Sequence, residues 1–386
     1  MSQINVRNLS NENDDGAPDI VGVSTFSATS YFVPPVGNTA QRSENPQPGD
    51  LRFNTDSASL EYFKGDTLNW TQIEMTSSDL DGGHRAVWMG GGTEPADPAS
   101  TFNIIDYVTI STLGNATDFG DLPADRMEAG RGIVASRTRG FQCGGEPSVV
   151  NVTKLEFSST GSAVDYLDLA LVSKAGAQLS DSTRAVVCQG YGTPTFQDDV
   201  SYFTMSTNAT GADFGDLTTS SHYAGVGFSN STRGVVNIAY DGSSYVNTLE
   251  YCTIQTTGDF QDFGDLTLAR GYAAGASNAT RGVVIGGYVP SPVTYYNTID
   301  YVTTATLGNA TDFGDELATI AYMNAGSSPT RIVIGGGTDG SSAPVSTGLN
   351  TITYLQIATT GNVKDFGDLT QHRRQLACAS NGHGGL

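Results

Sequence analysis

An eight-residue phrase, Asn-Ala-Thr-Asp-Phe-Gly-Asp-Leu, stands at Asn115–Leu122 and returns almost whole at Asn309–Leu317. Shorter forms begin at Ala212, Gln261 and Lys364. A second phrase, an arginine followed by a short apolar run and glycines, marks the same intervals. Its arginines are Arg85, Arg139, Arg184, Arg233, Arg281 and Arg331, spaced by 54, 45, 49, 48 and 50 residues. A chain that repeats itself this way builds one supersecondary unit several times. It then sets the copies side by side to hide faces that no single copy can bury.

Each unit parses into four strands. Gly271–Asn278 is rich in small residues and forms strand a. Thr280–Tyr288, apolar and closed by glycines, forms strand b. Asn297–Thr306 forms strand c, with Ile299, Tyr301 and Thr303 sharing one face. The Asp-Phe-Gly-Asp phrase forms strand d. Four-stranded units repeated radially make a β-propeller. Strands a then converge on the axis, which calls for side chains as small as Ala273, Ala274, Gly275 and Ala276, or Ala377, Cys378 and Ala379. Strands d lie outermost, with room for Phe119, Phe214, Phe263, Phe313 and Phe366. Tyr166 takes that place in a decayed copy at Thr160–Leu169. The first unit begins at strand b, and the residues from Arg373 onward supply a strand a without a strand b. The expected fold is an all-β, six-bladed propeller over residues 81–386, closed when that last strand joins the first blade and removes two raw sheet edges.

The pattern resembles the kelch β-propellers. The resemblance rests on Gly90-Gly91, Gly144-Gly145, Gly286-Gly287 and Gly335-Gly336 after strand b, on Tyr107, Tyr202, Tyr251, Tyr301 and Tyr354 of strand c, and on the outer aromatic. The chain departs from it in using Phe where kelch repeats have Trp, and in breaking the glycine pair at Gln189-Gly190 and Ile238-Ala239.

The repeated phrase has two readings. Asp118, Asp121 and Asn115 form a candidate calcium loop, but calcium takes six to eight oxygens. The favoured reading is architectural and needs no metal or cofactor. Phe packs, Gly permits a bulge that turns both Phe119 and Leu122 inward, and each Asp caps a turn or meets an arginine. Strands b and d start at the same face of the disc. That predicts a ring of ion pairs between Arg85, Arg139, Arg184, Arg233, Arg281 and Arg331 and the acids Asp118, Asp213, Asp262, Asp312 and Asp365.

Composition narrows the function. Net charge is −21, which argues against nucleic acid and anionic lipid as partners. No run approaches a membrane span, and the start lacks a secretion signal, so assembly in a cytoplasm is expected. The four cysteines, Cys143, Cys188, Cys252 and Cys378, form no Cys-x-x-Cys pair and read as small buried hydrophobes. The four histidines, His84, His222, His372 and His383, do not cluster at metal-ligand spacing. No catalytic residue is assigned, and a non-enzyme is expected.

Residues 1–80 do not repeat. Residues 1–48 read as an extended arm; its stretch Thr29–Asp50 is rich in proline and predicted to be poor in hydrogen bonds. Residues 49–80 read as a small β module, with three short strands within Gly49–Glu74. The run Gly-Asp-Leu-Arg-Phe-Asn-Thr at Gly49–Thr55, with Leu60-Glu61-Tyr62 and Trp70, resembles a module near the start of tail-fibre and other virion proteins of tailed bacteriophages. The Asp-Phe-Gly-Asp-Leu units resemble structural proteins of phages that infect marine cyanobacteria. These resemblances imply a virion protein assembled in the host cytoplasm. It would be anchored by residues 1–80 to other virion proteins, be homo-oligomeric in the particle, and present its propeller to a host-surface glycan or protein. The variable b–c loops would carry recognition, with Phe196, Tyr245, Tyr295 and Tyr296 as candidate contacts. A capsid or tail decoration without receptor role, and a glycan-acting propeller enzyme, are the alternatives.

Overall fold

The computed structural model describes residues 34–56, 59–65, 69–72, 83–93, 101–192, 195–219, 222–340 and 348–386. The chain divides into two compact units, Met1–Ser77 and Ser78–Leu386.

In the first unit, strands Val36–Gly37, Leu51–Asn54, Ser59–Phe63 and Trp70–Gln72 form one sheet in that order. Its centre is Glu61, which is fully buried and accepts hydrogen bonds from Arg42 Nε at 3.1 Å and Asn54 Nδ2 at 3.1 Å. The Arg42 guanidinium holds that carboxyl below its usual range despite burial. Arg42 and Arg52 both lie 5.9 Å from the Trp70 ring. The proline-rich stretch departs from expectation from Pro35 onward. Val36–Gly37 pairs with Phe53–Asn54, and Pro35 and Gly37 carbonyls accept from the Phe53 and Thr55 amides at 2.8 and 3.0 Å. Prolines remove donors but not acceptors, so the strip still docks through its carbonyls.

The second unit is all-β, and its described residues form six antiparallel sheets, consistent with a propeller-like fold. Sheet I is Ala377–Ser380, Arg85–Met89, Ile104–Thr109 and Thr117–Asp121. Sheet II is Arg139–Cys143, Val149–Glu156 and Val164–Ser173. Sheet III is Gln178–Ser180, Arg184–Gly192, Thr195–Thr204 and Ala212–Asp216. Sheet IV is Val226–Ser229, Arg233–Asn237, Thr248–Thr253 and Gln261–Asp265. Sheet V is Ala274–Ser277, Arg281–Pro290, Val293–Thr303 and Thr311–Asp315. Sheet VI is Asn324–Ser327, Arg331–Gly335, Leu349–Gln356 and Lys364–Arg373. Among the described residues sheet II has no regular strand a; the segment before it makes three isolated bridges, Met127 with Glu146, Arg131 with Ala177 and Ala135 with Gly140.

Sheet I joins residues nearly three hundred apart. Ala377 stands opposite Met89 and Ser380 opposite Ala86. The turn matches those made within the chain. Arg184, Arg233 and Arg281 each donate their amide to a side-chain oxygen three residues back, of Asp181, Asn230 and Asn278, at 2.8 Å. For Arg85 that acceptor is Asn381 Oδ1, at 2.7 Å.

The repeated phrase forms the outer seam. Phe119 and Leu122 are both buried, and Phe119 is the extra residue at a register shift, between Asp118 opposite Asp106 and Gly120 opposite Ile105. Gly120 has φ +145°, and a Cβ there would lie 2.6 Å from the Gly161 carbonyl carbon of sheet II. The Gly161 amide donates to the Phe119 carbonyl at 2.7 Å and the Ala163 amide to that of Asp121 at 2.8 Å. The same close approach recurs for Gly215 on Gly258, Gly264 on Gly308, Gly314 on Gly361 and Gly367 on Gly114. The phrase is therefore glycine-kinked because the next sheet's backbone lies against it. Both aspartates of Asp118-Phe119-Gly120-Asp121 remain exposed.

The predicted arginine–aspartate ring is not what these residues form. Arg85 stands opposite Thr109 and Val87 opposite Tyr107, whereas Asp118 stands opposite Asp106. The aspartate therefore lies on the other face of the sheet, because side chains alternate with period two. Arg85, Arg184, Arg233, Arg281 and Arg331 instead stack on Tyr107, Tyr202, Tyr251, Tyr301 and Tyr354, at 4.4 to 4.9 Å from the ring centroids. Arg139 pairs with Glu156 at 3.2 Å. Among the described residues, Asp118, Asp213, Asp262, Asp312 and Asp365 make no ion pair with any of the six. Each arginine also donates to a carbonyl of the following sheet. Arg85 reaches Phe157, Arg139 Met205, Arg184 Ile254, Arg233 Thr304, Arg281 Ile357, and Arg331 returns to Ile110 of sheet I at 2.8 Å.

Candidate functional site

The inner ends of the sheets meet in a ring of backbone hydrogen bonds. The amide of Glu128 donates to Gln375, Gln375 to Tyr322, Tyr322 to Tyr272, Tyr272 to Ala224, Ala224 to Ala175, and Ala175 back to Glu128, at 2.7 to 3.0 Å. All six residues hold left-handed φ, between 50° and 64°, and none is glycine. A non-glycine residue there costs on the order of 1 kcal/mol, so the ring is held by its neighbours rather than by local preference. One layer further along strand a runs a second set of contacts. The hydroxyls of Ser229, Ser277 and Ser327 donate to the carbonyls of Ser180, Ser229 and Ser277 at 2.7, 2.6 and 2.8 Å. The Ser327 amide donates to Ser380 Oγ at 3.0 Å.

The first ring lies at the start of strand a, on the same side as the b–c loops. On this side sits a cluster of tyrosines from sheets IV to VI. The rings of Tyr272 and Tyr322 are 4.2 Å apart, those of Tyr288 and Tyr295 4.8 Å, and Tyr223 meets Tyr272 edge-on at 5.7 Å. Tyr245 lies over Gly271 and Tyr295 over Gly340, where any Cβ would meet the ring at 2.7 and 2.5 Å. Burial and neighbouring phenols push the Tyr245 hydroxyl up to about 12, and burial above all raises Tyr223, Tyr272, Tyr288, Tyr295 and Tyr322 as well. These groups therefore stay protonated and able to donate.

Charge is also concentrated here. Arg131, before sheet II, reaches across to sheets V and VI. Its guanidinium carbon lies 5.1 Å from the Tyr272 ring and 5.8 Å from that of Tyr322, and Nη1 donates to the Met323 carbonyl at 3.4 Å. Arg374 lies 5.6 Å from the Tyr322 ring. Lys174 pairs with Glu128 at 2.9 Å and Glu146 at 2.8 Å. Burial opposes the Lys174 charge, but the two carboxylates outweigh it and its pKa rises.

Of the candidate loop residues, Tyr245 and Tyr295 belong to this cluster. Tyr296 is half-buried next to Arg270 rather than among the other rings, and the side chain of Phe196 lies outside the described residues. Tyr223, Tyr272, Tyr288, Tyr322 and Arg131 were not singled out by sequence. The available signal was that Tyr272 and Tyr322 interrupt otherwise small residues at matching places in the repeat.

The histidines have structural surroundings. His222 is buried; its Nε2 accepts from the Ala177 amide at 3.0 Å, so Nδ1 donates to the Ile238 carbonyl. His383 is buried on the opposite side, where Nδ1 accepts from the Gly385 amide and Nε2 donates to the Ala135 carbonyl at 3.0 Å. Gly382 packs on His84, which brings these two seam residues together. Among the described residues, no three His, Cys, Asp or Glu converge as a metal site, and all four cysteines are free and buried. No protein-family model matches the chain, and no curated protein matches it.

Proposed function

We propose that the chain is a non-enzymatic virion structural protein of a tailed bacteriophage, in which residues 1–80 anchor to other virion proteins and a six-bladed kelch-like propeller presents its b–c loop face to a host surface. The closed, six-bladed reading is supported by three features that return to their start: the pairing of Ala377–Ser380 with Arg85–Met89, the arginine contact from Arg331 to Ile110, and the inner ring of amides. The observation that carries the attachment reading is the tyrosine cluster. It breaks the symmetry of the repeat on the face with the variable loops, where a rigid scaffold offers recognition surface. Paired exposed acids on the outer strands suit a protein that contacts neither nucleic acid nor lipid.

Two measurements test this. Particles assembled with a chain lacking residues 1–80 should omit the protein while the remainder stays folded; normal incorporation contradicts the anchoring role. The purified full chain should bind host cells, and a substitution of Tyr295 by Ala should reduce that binding. Incorporation into particles without any cell binding favours the decoration alternative.

A further inference from the structure

We propose that the tyrosine-walled mouth around Arg131 is a binding site for a carboxylate-bearing sugar, with Arg131 as the group that selects for the acid. This rests on the reading of the b–c side as the attachment face and assigns the ligand chemistry to it.

The starting point is a contrast between buried arginines. Arg270 and Arg373 are fully buried and each has an aspartate, Asp300 at 3.0 Å and Asp106 at 2.7 Å. Arg131 is 1% exposed, and among the described residues no carboxylate lies within ion-pair distance of it. Its Nη1 is bonded to Met323, but Nε and Nη2 have no partner. Those two N–H groups form one edge of the planar guanidinium, spaced to take both oxygens of a carboxylate. The chain already uses that edge in this way: Arg42 presents Nε and Nη2 to the two oxygens of Glu61 at 3.1 and 2.5 Å. A buried guanidinium with this edge unused matches an acid that comes from outside the chain.

The surroundings match a sugar. Arg131 is stacked against Tyr272 and Tyr322, and Tyr288 and Tyr295 continue the aromatic wall outward as half-buried rings. Aromatic faces take the apolar faces of sugar rings, and protonated phenols bond their hydroxyls. Glu128, the nearest acid on the inner ring, is already engaged by Lys174 and by Gln375 Nε2 at 2.5 Å, so its charge is offset. The tyrosines are not demanded by the ring itself, because Ala175 and Ala224 make the same backbone bonds at matching positions. Since the Arg131 edge is covered, a carboxylate reaches it when the Tyr322 ring, which is only partly buried, swings aside.

The test titrates the purified full chain with tetragalacturonate and, as a neutral control, maltotetraose, by calorimetry. Tetragalacturonate is expected to bind at least tenfold more tightly than maltotetraose. Arg131→Met, checked for an unchanged melting temperature, should abolish that preference, and Tyr295→Ala should weaken tetragalacturonate at least threefold. No binding, equal binding of the two sugars, or a preference that survives Arg131→Met overturns the proposal. Should Arg131→Met fail to fold, an unchanged affinity in Tyr295→Ala overturns it. Host-cell binding that falls in Tyr295→Ala but survives Arg131→Met leaves the attachment reading standing and removes this site. Acid-selective sugar binding without cell binding does the reverse.

Discussion

Asp106→Asn tests whether the first and last sheets are joined in solution. Asp106 is fully buried in strand c of sheet I. It accepts from Arg373 Nη2 at 2.7 Å, from the Thr370 amide at 3.1 Å and from Thr370 Oγ1 at 2.7 Å, all from strand d of sheet VI. Arg373 also donates to the Gly90 and Ile104 carbonyls at 2.7 and 2.8 Å. Sheet V repeats the arrangement locally. Asp300 accepts from Arg270 Nη1 at 3.0 Å and from the Thr267 amide at 3.0 Å, across only thirty or so residues. Replacing either aspartate by asparagine leaves a buried guanidinium without its counter-charge and turns an amide group toward other donors. Loss of one partner from a buried pair costs about 3–5 kcal/mol. Because the two sites share no residue, the double variant should lose about the sum. Urea denaturation of the two single variants and the double measures this. The Asp300 pair ties sheet V to the segment that directly follows sheet IV in the chain, whereas the Asp106 pair forms only if sheet VI docks on sheet I. If Asp300→Asn loses several kcal/mol while Asp106→Asn stays within about 1 kcal/mol of the parent, the closure is refuted.

Three further outcomes follow from burial. His222 and His383 are locked neutral and burial lowers both to about 4 from an ordinary 6.5, so the stability they contribute is full above pH 6.5 and is lost as pH falls toward 4. That loss is worth about 3 kcal/mol per histidine; His222→Gln should flatten part of the acid limb of a stability–pH curve, and an unchanged limb counts against it. Glu316 is raised by burial to about 7 from 4.5, against the donation from Thr353 Oγ1, so its cost grows as pH rises between those values. Glu316→Gln should match the parent near pH 4 and exceed it by about 2–3 kcal/mol at pH 8, and equal melting temperatures at pH 8 would contradict this. Gly314→Ala places a Cβ 2.6 Å from the Gly361 backbone at φ +149° and should lower stability by about 2–4 kcal/mol; a loss under about 0.5 kcal/mol by thermal melting would show that the outer seam yields.

The repeat made strands b, c and d readable because alternation and an apolar run closed by glycines are local signals. Phe119 could be placed inward because a kinking glycine follows it. The partner of each arginine could not be read the same way. The start of b and the start of d do share a level, but Arg85 and Asp118 occupy opposite faces, and only the register across strand c reveals that. Strand a of sheet II is irregular where Ala135 stands in place of the serine found at Ser180, Ser229, Ser277, Ser327 and Ser380. That serine stands at one place in five copies, so its role was legible in principle. The inner ring was not, since its bonds are made by backbone groups about fifty residues apart and leave no mark on side-chain pattern. The docking of Val36–Gly37 was hidden by the prolines beside it, although the Pro35 and Gly37 carbonyls remain free to accept from Phe53 and Thr55.

The outer and inner rings differ in what they ask of a side chain. At the seam the demands are strict: glycine where Gly161 lies against Gly120, and an aromatic where Phe119 fills the core. At the hub the bond needs only an amide and a carbonyl in left-handed geometry, and alanine satisfies it at Ala175 and Ala224. Tyrosine at Tyr272 and Tyr322 is therefore in excess of what the architecture requires, in a conformation that disfavours bulky residues. A residue kept at a backbone cost where a smaller one would serve points to a role for its side chain. The position next to a buried Arg131 that has no carboxylate at ion-pair distance among the described residues gives that role a chemistry. A symmetric repeat acquires an asymmetric site where its copies differ at positions to which the scaffold is indifferent, and here two such differences, Tyr272 and Tyr322, lie against Arg131.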